Sequence, residues 1–272
     1  MGVCMKFTIL TPTYNRAYCL HILYNSLVKQ DYKDGFEWLV IDDGSTDNTR
    51  EMIQSFQQEA KIDIKYHFTP NGGKHRAINV GAKFALGERL FIVDSDDYLL
   101  PEALSTAADW FDTIKAGTDF AGVVGLKGYD EKTMIGTTFQ GNSLDILYYD
   151  RTLHNIYGDK AEIFYTDVLL KHKFPEFEGE NFISEACVWT EIANNGLKLR
   201  FFNKIIYVAN YLDDGLSYKS LELRKKNING TLYTYKRLFS NKKLPFRLRI
   251  RYFLNYLRFY FFKLTKINNP EE

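Results

Sequence analysis

Three carboxylates follow an apolar segment near position 90. Residues 89–93 are rich in apolar and β-favouring side chains, which predicts a buried strand, and Asp94, Asp96 and Asp97 come directly after it. Carboxylates this close repel one another, and each needs water or a cation nearby. A divalent metal held by oxygen ligands, with a substrate phosphate on its far side, meets that need. The alternative is an acidic turn that only ends a strand, with Asp97 capping the helix that begins near Pro101.

Polar loops also follow three earlier apolar segments, at residues 6–10, 36–41 and 62–68. Each loop leads into a helical pattern, and this alternation predicts a parallel sheet with right-handed crossover connections. Ligands bind at the carboxyl ends of the strands in such a sheet, so the four loops are expected to meet in one crevice. The polar side chains that they supply are Thr11, Thr13 and Arg16; Asp42 and Asp43; Lys74, Arg76 and Asn79; and Asp94, Asp96 and Asp97.

A crevice that gathers carboxylates and cations suits an anionic ligand with many hydrogen-bonding groups. A nucleotide diphosphate uses one carboxylate for a base N–H, another for the ribose hydroxyls and a metal for the diphosphate. The sequence contains neither G-x-x-x-x-G-K-[ST] nor G-x-G-x-x-G, which excludes a P-loop and a dinucleotide-binding turn. The metal and the side-chain cations are therefore expected to hold the phosphates.

The composition indicates a globular protein. The chain has 272 residues, of which 45% are hydrophobic and 16% aromatic, enough for a full core in one large domain with or without an appendage. Cys4, Cys19 and Cys187 are widely separated, so neither a disulfide framework nor a cysteine-rich zinc site is expected, and a reducing cytoplasmic setting fits. No secretory signal pattern and no apolar segment long enough to span a bilayer is present.

The order and spacing of four motifs resemble those of family 2 glycosyltransferases, which have the GT-A fold. The motifs are residues 11–16 (TPTYNR), 40–47 (VIDDGSTD), 72–81 with Asn79, and 93–97 (VDSDD) with Pro101. They cover the N-terminal hundred or so residues densely. The resemblance implies an α/β fold with a mostly parallel, Rossmann-like sheet flanked by helices.

The resemblance also implies roles for individual residues. Asp43 would bind the nucleotide base, Asp94 the ribose, and Asp96 the divalent metal, Mn²⁺ or Mg²⁺, that bridges the diphosphate. Thr11 and Arg16 would line the base and ribose pocket. The other expected nucleotide-sugar contacts are Thr13, Lys74, Arg76, Asn79 and Ser95.

Plainer roles remain open for several of these positions. Asp42 is expected to cap its turn, which leaves the base contact to Asp43. Lys74 and Arg76 would otherwise form a solvated face of the third helix. His75 is expected to be exposed, because no second histidine stands at metal-ligand spacing.

Transfer of a sugar with inversion needs one carboxylate to take the proton from the attacking hydroxyl. In the resembling family this base is an acid about four residues before an aromatic residue, and the matching position before Trp189 is Glu185. Ser184 stands where the family often has a second acid, which is a departure from the pattern. Glu180 is the second candidate base, and capping of the following helix is the alternative role of Glu185. Residues 211–217 (YLDDGLS) resemble a segment that closes over the diphosphate, although an Asp-Gly turn before a helix has the same composition.

The C-terminal region has a different character from the rest of the chain. Residues 236–266 contain ten basic side chains and no acids, so that residues 236–272 carry a net +8 and the first 235 residues −7. Beyond Pro245, apolar side chains recur at helical spacing, with arginines mostly on the other side. The apolar positions are Ile250, Phe253, Leu254, Leu257, Tyr260, Phe261 and Leu264, and the arginines are Arg247, Arg251 and Arg258. Such a helix is typical of one that lies on an anionic membrane surface, and packing on the catalytic domain or on a dimer partner is the alternative. Nucleic-acid binding is not expected, because no recognition motif is present and the main domain is acidic.

We therefore predict a GT-A domain over residues 1–218 and a basic, aromatic helical extension over 219–272. Residues 1–100 would bind the nucleotide sugar and residues 101–218 the acceptor. The predicted activity is metal-dependent, inverting transfer of a hexosyl or N-acetylhexosaminyl group from a UDP-sugar to an acceptor hydroxyl. The acceptor would be a lipid-linked saccharide in surface-polysaccharide synthesis, at the inner face of the cytoplasmic membrane. The alternatives are a sugar-nucleotide pyrophosphorylase, whose Gly-rich, Arg-bearing loop is missing from residues 11–16, and a non-catalytic saccharide-binding GT-A protein.

Overall fold

The computed structural model describes residues 6–210 and 220–268. Within these ranges, nine strands form one sheet: β1 (Phe7–Thr13), β2 (Phe36–Asp42), β3 (Asp63–Phe68), β4 (Arg89–Ile92), β5 (Tyr98–Leu99), β6 (Phe120–Gly128), β7 (Ser143–Ile146), β8 (Lys160–Tyr165) and β9 (Lys198–Val208). The order across the sheet is β3-β2-β1-β4-β8-β6-β9-β5, and β7 pairs with β9.

Helices cover the two faces of the sheet and form the C-terminal region. They are α1 (Leu20–Val28), α2 (Thr49–Glu59), α3 (Lys74–Phe84), α4 (Ala103–Asp112), α5 (Thr166–Lys171), α6 (Ala186–Asn194), α7 (Ser220–Lys226), α8 (Ile228–Ser240) and α9 (Phe246–Asn268), with a 3-10 helix at Tyr148–His154.

The predicted parallel arrangement is confirmed in the N-terminal part. β1 pairs in parallel with β2 and β4, and β2 pairs in parallel with β3. β1 is buried along its whole length, as expected for a strand with neighbours on both sides and helices on both faces. Its last residue, Thr13, pairs with Asp42 at the end of β2, so the loops that follow these strands lie at the same edge.

The other half of the sheet is mixed. β8 runs antiparallel between β4 and β6, whereas β9 is parallel to β6. Consequently β1, β2, β3, β4, β6 and β9 share one direction, and β5, β7 and β8 run the other way. The sheet is thus mostly parallel. The region 127–157, expected to be a loop region, includes β7 and the 3-10 helix as well as loops.

Two apolar layers hold the helices on the sheet. On one face, Trp38 belongs to an apolar cluster that includes side chains from α1, α2 and α4. On the other face, Trp189 of α6 belongs to a cluster that includes side chains from α3 and α5. This second face matters for function, because α3 and α6 begin beside the carboxyl ends of the strands.

The predicted C-terminal helices are present, and α8 packs against the catalytic domain, which was the alternative to a membrane-bound extension. Leu238 and Phe259 are buried between α8, α9 and their neighbours, and Arg237 of α8 forms an ion pair with Glu191 of α6. No helix in the described part of the chain has both the length and the apolar composition needed to cross a membrane.

Candidate active site

Lys74 connects two of the predicted functional carboxylates. Its ammonium group lies 2.6 Å from Asp94 Oδ1 and 3.0 Å from Glu185 Oε1. Lys127, at the end of β6, lies 4.0 Å from the other oxygen of Asp94. Burial alone would lower the pKa of Lys74, but the two carboxylates outweigh it and raise this pKa. Burial opposes ionisation of Asp94 as well, yet Lys74 and Lys127 hold its pKa below the usual value.

Glu185 is placed by the start of α6. The helix begins at Ala186, and the side chain of Glu185 makes no hydrogen bond to the helix amides, so a capping role for this side chain is wrong. The side chain is instead 40% exposed, and its carboxylate lies beside Lys74. Its Oε2 atom has no partner within the described residues. A carboxylate with one oxygen held and one open can accept a proton from a ligand hydroxyl.

Glu180, the second candidate base, has a structural role. Its side chain is buried, and its two oxygens accept hydrogen bonds from the backbone N–H groups of Asn229 at 2.6 Å and Gly230 at 2.7 Å. These amides belong to the first turn of α8, where the partial positive charge of a helix favours a carboxylate. The prediction that Glu180 is an alternative base is therefore wrong.

Asp97 anchors the acidic turn to β9. Its carboxylate accepts hydrogen bonds from the Tyr207 hydroxyl at 2.5 Å and from the Asn210 N–H at 2.8 Å. The Tyr207 oxygen also accepts the N–H of Asp94 at 3.0 Å. Burial and the neighbouring charge of Asp94 raise the pKa of Asp97 to about 7. The expected helix cap is wrong, because α4 begins only at Ala103.

Asp96 retains an open carboxylate. Within the described residues no other side chain or amide donates a hydrogen bond to it, and burial followed by the charge of Asp94 raises its pKa. Those residues include no group of three or more His, Cys, Asp or Glu side chains arranged to hold a metal. One carboxylate together with water and substrate phosphates is a usual ligand set for Mg²⁺. The residues therefore fit an ion that binds together with a diphosphate.

The predicted base contact, Asp43, lies in a narrow backbone cradle. Gly72 and Gly73 donate their N–H groups to its two oxygens at 2.8 and 2.7 Å, and burial raises its pKa. Each oxygen keeps a second lone pair for a ligand N–H. The buried hydroxyl of Thr13 has no partner within the described residues. The charge of Arg16 adds to the effect of Lys74 and Lys127 in lowering the pKa of Asp94, and it partly opposes the rise in the pKa of Asp96 that burial and Asp94 cause. These contacts with a nucleotide remain predictions.

Asp42 and Ser95 are both buried beside this crevice. Asp42 accepts the N–H of Ser45 and the hydroxyl of Tyr66, each at 2.7 Å, which is the turn-capping role expected for it. The backbone oxygen of Ser95 accepts a weak hydrogen bond from the Cys19 thiol at 3.7 Å. A contact between Ser95 and the nucleotide sugar stays a prediction.

Three of the residues predicted to contact the nucleotide have hydrogen-bond partners within the protein, and their contacts with a nucleotide stay predictions. The hydroxyl of Thr11 is fully buried and accepts the indole N–H of Trp38 at 2.9 Å, so it lies in the core. The guanidinium of Arg76 donates to the Phe177 carbonyl at 2.6 Å and lies 3.3 Å from the Glu176 carboxylate.

The third is Asn79, whose side-chain amide donates to and accepts from the backbone of Phe174, both at 2.9 Å. Arg76 and Asn79 thus attach the segment before α6 to α3.

His75 was expected to be exposed, and this expectation is wrong. The ring is buried, its Nδ1 has no partner within the described residues, and burial lowers its pKa to about 4. It lines a cavity of about 330 Å³ that also borders Lys74, Asp94 and Glu185. A neutral imidazole is therefore part of the cavity wall.

A sequence model for the family described as Glycosyl transferase family 2 matches residues 8–166, which is more than half of the chain. This chain belongs to glycosyltransferase family 2. All four sequence motifs lie inside the matched range. Glu185 lies beyond it, so its assignment depends on the position before Trp189 and on the contact with Lys74.

The family 2 chain is similar to proteins of bacterial surface-polymer synthesis. It is 40% identical over 109 residues to poly(ribitol-phosphate) beta-N-acetylglucosaminyltransferase TarS of Staphylococcus aureus strain Mu50, which covers 40% of this chain and 19% of TarS. It is 30% identical over 196 residues to the GalNAc(5)-diNAcBac-PP-undecaprenol beta-1,3-glucosyltransferase of Campylobacter jejuni, which covers 69% of this chain and 59% of that enzyme. The chain thus spans less than two thirds of these relatives.

Solved structures of two transferases share the fold. TarS residues 1–349 in complex with UDP-GlcNAc align with a TM-score of 0.69 and 25% identity, over 94% of this chain and 73% of that one. A mannosyltransferase from Pyrobaculum calidifontis in complex with GDP-Man and Mn²⁺ aligns with a TM-score of 0.62 and 17% identity, over 97% and 75%. The GT-A fold expected for a family 2 chain is therefore confirmed.

Sequence reasoning missed the far wall of the cavity in this family 2 chain. The wall includes Lys127, Tyr148, Arg151, Lys160 and Glu162. One signal is present in β8, whose sequence KAEIFY places charged residues at alternate positions within an otherwise apolar strand. Residues 211–217, predicted to resemble a closing segment, lie outside the described residues.

Proposed function

We propose that this chain is a metal-dependent, inverting transferase that moves a hexosyl or N-acetylhexosaminyl group from a UDP-sugar to an acceptor hydroxyl. The observation that carries the proposal is the bridge of Lys74 between Asp94 and Glu185. It joins the carboxylate expected to bind the donor with the carboxylate expected to act as base. Both border the cavity in which a sugar would lie.

The donor would lie across the carboxyl ends of the parallel strands. Asp43 would accept a base N–H, Asp94 would accept ribose hydroxyls, and Thr13 would use its unpartnered hydroxyl. The complex of TarS with UDP-GlcNAc supports UDP as the nucleotide. Mn²⁺ or Mg²⁺ held by Asp96 would neutralise charge on the departing diphosphate, and the complex of the mannosyltransferase with Mn²⁺ supports a metal.

Transfer would proceed by direct displacement at the anomeric carbon. The acceptor oxygen attacks the face opposite the diphosphate and gives up its proton to Oε2 of Glu185, while the bond from the anomeric carbon to the phosphate oxygen breaks and UDP leaves with its electron pair. Lys74 keeps Oε1 of Glu185 oriented. A single displacement, assisted by one base, inverts the configuration at the anomeric carbon.

The substitution Glu185→Gln tests this role. The variant should fold and bind UDP, measured by thermal shift with Mn²⁺, but transfer of the sugar should fall by about 100- to 10,000-fold. Glu178→Gln is the matched control, because Glu178 is an exposed acid in the segment before α6. Turnover within threefold of wild type by Glu185→Gln would refute the assignment. Release of UDP rather than pyrophosphate distinguishes a transferase from a pyrophosphorylase, and release that depends on Mn²⁺ distinguishes it from a non-catalytic binder.

We also propose that α9 lies on the inner face of the cytoplasmic membrane, next to a lipid-linked acceptor. One face of α9 packs on the protein through Phe259, whereas Phe246, Leu254 and Phe261 on the opposite face are exposed. Exposed Arg247, Arg251 and Arg258 flank this apolar stripe, as in helices that bind anionic bilayers. The acceptor named for the Campylobacter relative is carried on PP-undecaprenol, which supports a lipid-linked acceptor.

Sedimentation with liposomes of phosphatidylglycerol tests the membrane role. The wild-type protein should bind, and Leu254→Gln should weaken binding by about tenfold, since burying a leucine contributes about 1.5–3 kcal/mol. Leu86→Gln is the matched control, because Leu86 is 64% exposed on the sheet domain and Leu254 is 60% exposed. A wild-type protein that ignores the liposomes at low salt and forms a dimer in light scattering would instead assign α9 to a protein interface.

A further inference from the structure

An acid stands in the interior of the sheet where an apolar residue is usual. Glu162 lies on β8, pairs with Val124 of β6 and has β4 on its other side. It shares a strand face with Phe164, which packs against Trp189 of α6. Its side chain is only 14% exposed. Since burying a carboxylate is costly unless it is paired, this position calls for a partner or a ligand.

The partner of Glu162 is Arg151 of the 3-10 helix, and the pair is loose. Nη1 of Arg151 lies 3.8 Å from the carboxylate, which is longer than a hydrogen bond. Nη2 donates to the Gly158 carbonyl at 2.6 Å, and Nε is buried with no partner among the described residues. The guanidinium carbon lies over the Tyr148 ring, 5.1 Å from its centre. Both charged groups therefore retain unused hydrogen-bonding capacity at the cavity wall.

The pair lies apart from the residues expected to bind the base and the metal. Glu162, Arg151 and Glu185 line the same cavity of about 330 Å³ as Asp94, the expected ribose contact, whereas Asp43 and Asp96 do not border it. The charge of Glu185 contributes to raising the pKa of Glu162, after burial as the main cause, so the two carboxylates are close. A ligand group bound at the pair would thus lie on the acceptor side of the reacting hydroxyl.

The chemistry of the pair selects among ligands. A carboxylate accepts hydrogen bonds and a guanidinium donates them, so together they match two neighbouring hydroxyl groups, each of which does both. A phosphate would be attracted to the guanidinium of Arg151 but repelled by the carboxylate of Glu162. Above the pKa of Glu162, which is about 7, the carboxylate is ionised, so the pair is neutral overall and suits an uncharged polyhydroxylated group.

We propose that Glu162 and Arg151 form a subsite for two hydroxyl groups of an uncharged sugar or polyol unit of the acceptor. The proposal rests on the proposed transferase function and extends it to the substrate class. Phosphate groups of an acceptor, where present, bind elsewhere.

Glu162→Gln tests the subsite, with Glu131→Gln as the control at an exposed acid in a turn. The probes are methyl β-D-glucopyranoside and its 6-phosphate, titrated by calorimetry and by saturation-transfer NMR into protein loaded with UDP and Mn²⁺. The neutral glycoside should bind wild type and Glu131→Gln equally, and Glu162→Gln at least tenfold more weakly, because a hydrogen bond to a charged group is lost. The affinity for UDP should stay within twofold.

The sign of the change distinguishes the alternatives. If the subsite takes an anion on Arg151, Glu162→Gln removes a repulsive charge and tightens binding of the 6-phosphate, which overturns the proposal. A higher KM for UDP-GlcNAc with unchanged glycoside binding would assign the pair to the donor sugar and also overturn it. The proposal is also overturned if the glycoside does not bind to wild-type protein loaded with UDP and Mn²⁺. If the wild-type protein does not hydrolyse UDP-GlcNAc, the proposed function itself is refuted.

Discussion

Replacing Glu180 with glutamine is expected to loosen the attachment of the C-terminal helices. The carboxylate accepts two backbone N–H groups at the first turn of α8, at 2.6 and 2.7 Å. Glutamine keeps one acceptor oxygen but turns an NH₂ group toward the second amide, which leaves a buried donor unsatisfied. Hydrogen bonds to charged groups contribute about 1.5–3 kcal/mol each, and the interaction with the helix dipole adds up to about 2 kcal/mol.

The free energy of unfolding should therefore fall by about 2–4 kcal/mol. For a domain of this size that corresponds to a decrease in Tm of about 5–10 °C. Urea unfolding followed by circular dichroism and by tryptophan fluorescence measures the change, and Glu178→Gln serves as the control because Glu178 is exposed two residues earlier. Liposome binding through α9 should weaken along with the stability.

Two outcomes would refute this reasoning. A Glu180→Gln variant with wild-type stability would show that the contact with α8 contributes little. A variant of wild-type stability that has lost sugar transfer would identify Glu180, and not Glu185, as the base.

Three further predictions concern buried groups near the site. Burial raises the pKa of Glu162 from 4.5 to about 7, so between these pH values the folded protein keeps a proton that the unfolded chain releases. The free energy of unfolding of the wild type therefore falls as pH rises through this window. Between pH 4.5 and 7.5, the free energy of unfolding of Glu162→Gln should rise by up to about 3 kcal/mol relative to that of the wild type, measured in urea titrations. Tyr207→Phe removes the bonds to Asp97 and to the Asp94 N–H, and should cost about 2–3 kcal/mol in urea unfolding and lower kcat/KM for transfer. Gly73→Ala should lower the free energy of unfolding by about 3 kcal/mol or more in urea unfolding, because φ is +95° and an added Cβ would lie 1.9 Å from the Asn181 oxygen. For each of these three variants, a free energy of unfolding equal to that of the wild type would contradict the prediction.

The N-terminal half was predictable because its sequence is locally consistent. Each strand is a short apolar segment, each is followed by a polar loop and a helical pattern, and parallel pairing then requires those loops to share an edge. That rule alone predicts that Asp94, Lys74 and Asp43 lie at this edge of the sheet. The position of β8 could not be predicted in this way, because an antiparallel strand inserted from a later part of the chain leaves no trace in the local pattern around β4.

Errors about single residues have one physical origin. Glu180 and Glu185 are acids in one segment, and only a contact with Asn229, 49 residues away, makes the first a helix anchor. Arg76 is likewise occupied by Phe177, 101 residues away. Residue type and local spacing indicate what a side chain can do. Which neighbour it meets depends on tertiary contacts that a local pattern does not contain.

The insertion of β8 between β4 and β6 has a consequence for biosynthesis. β4 is complete at Ile92, but its second edge stays unpaired until β8, ending at Tyr165, has been made. During synthesis from the N-terminus the nascent sheet therefore exposes an open apolar edge, which is a template for wrong pairing. The non-local pairing also raises the contact order and slows folding. Translation speed and chaperone access over residues 93–165 should thus influence how much of this protein reaches its native state.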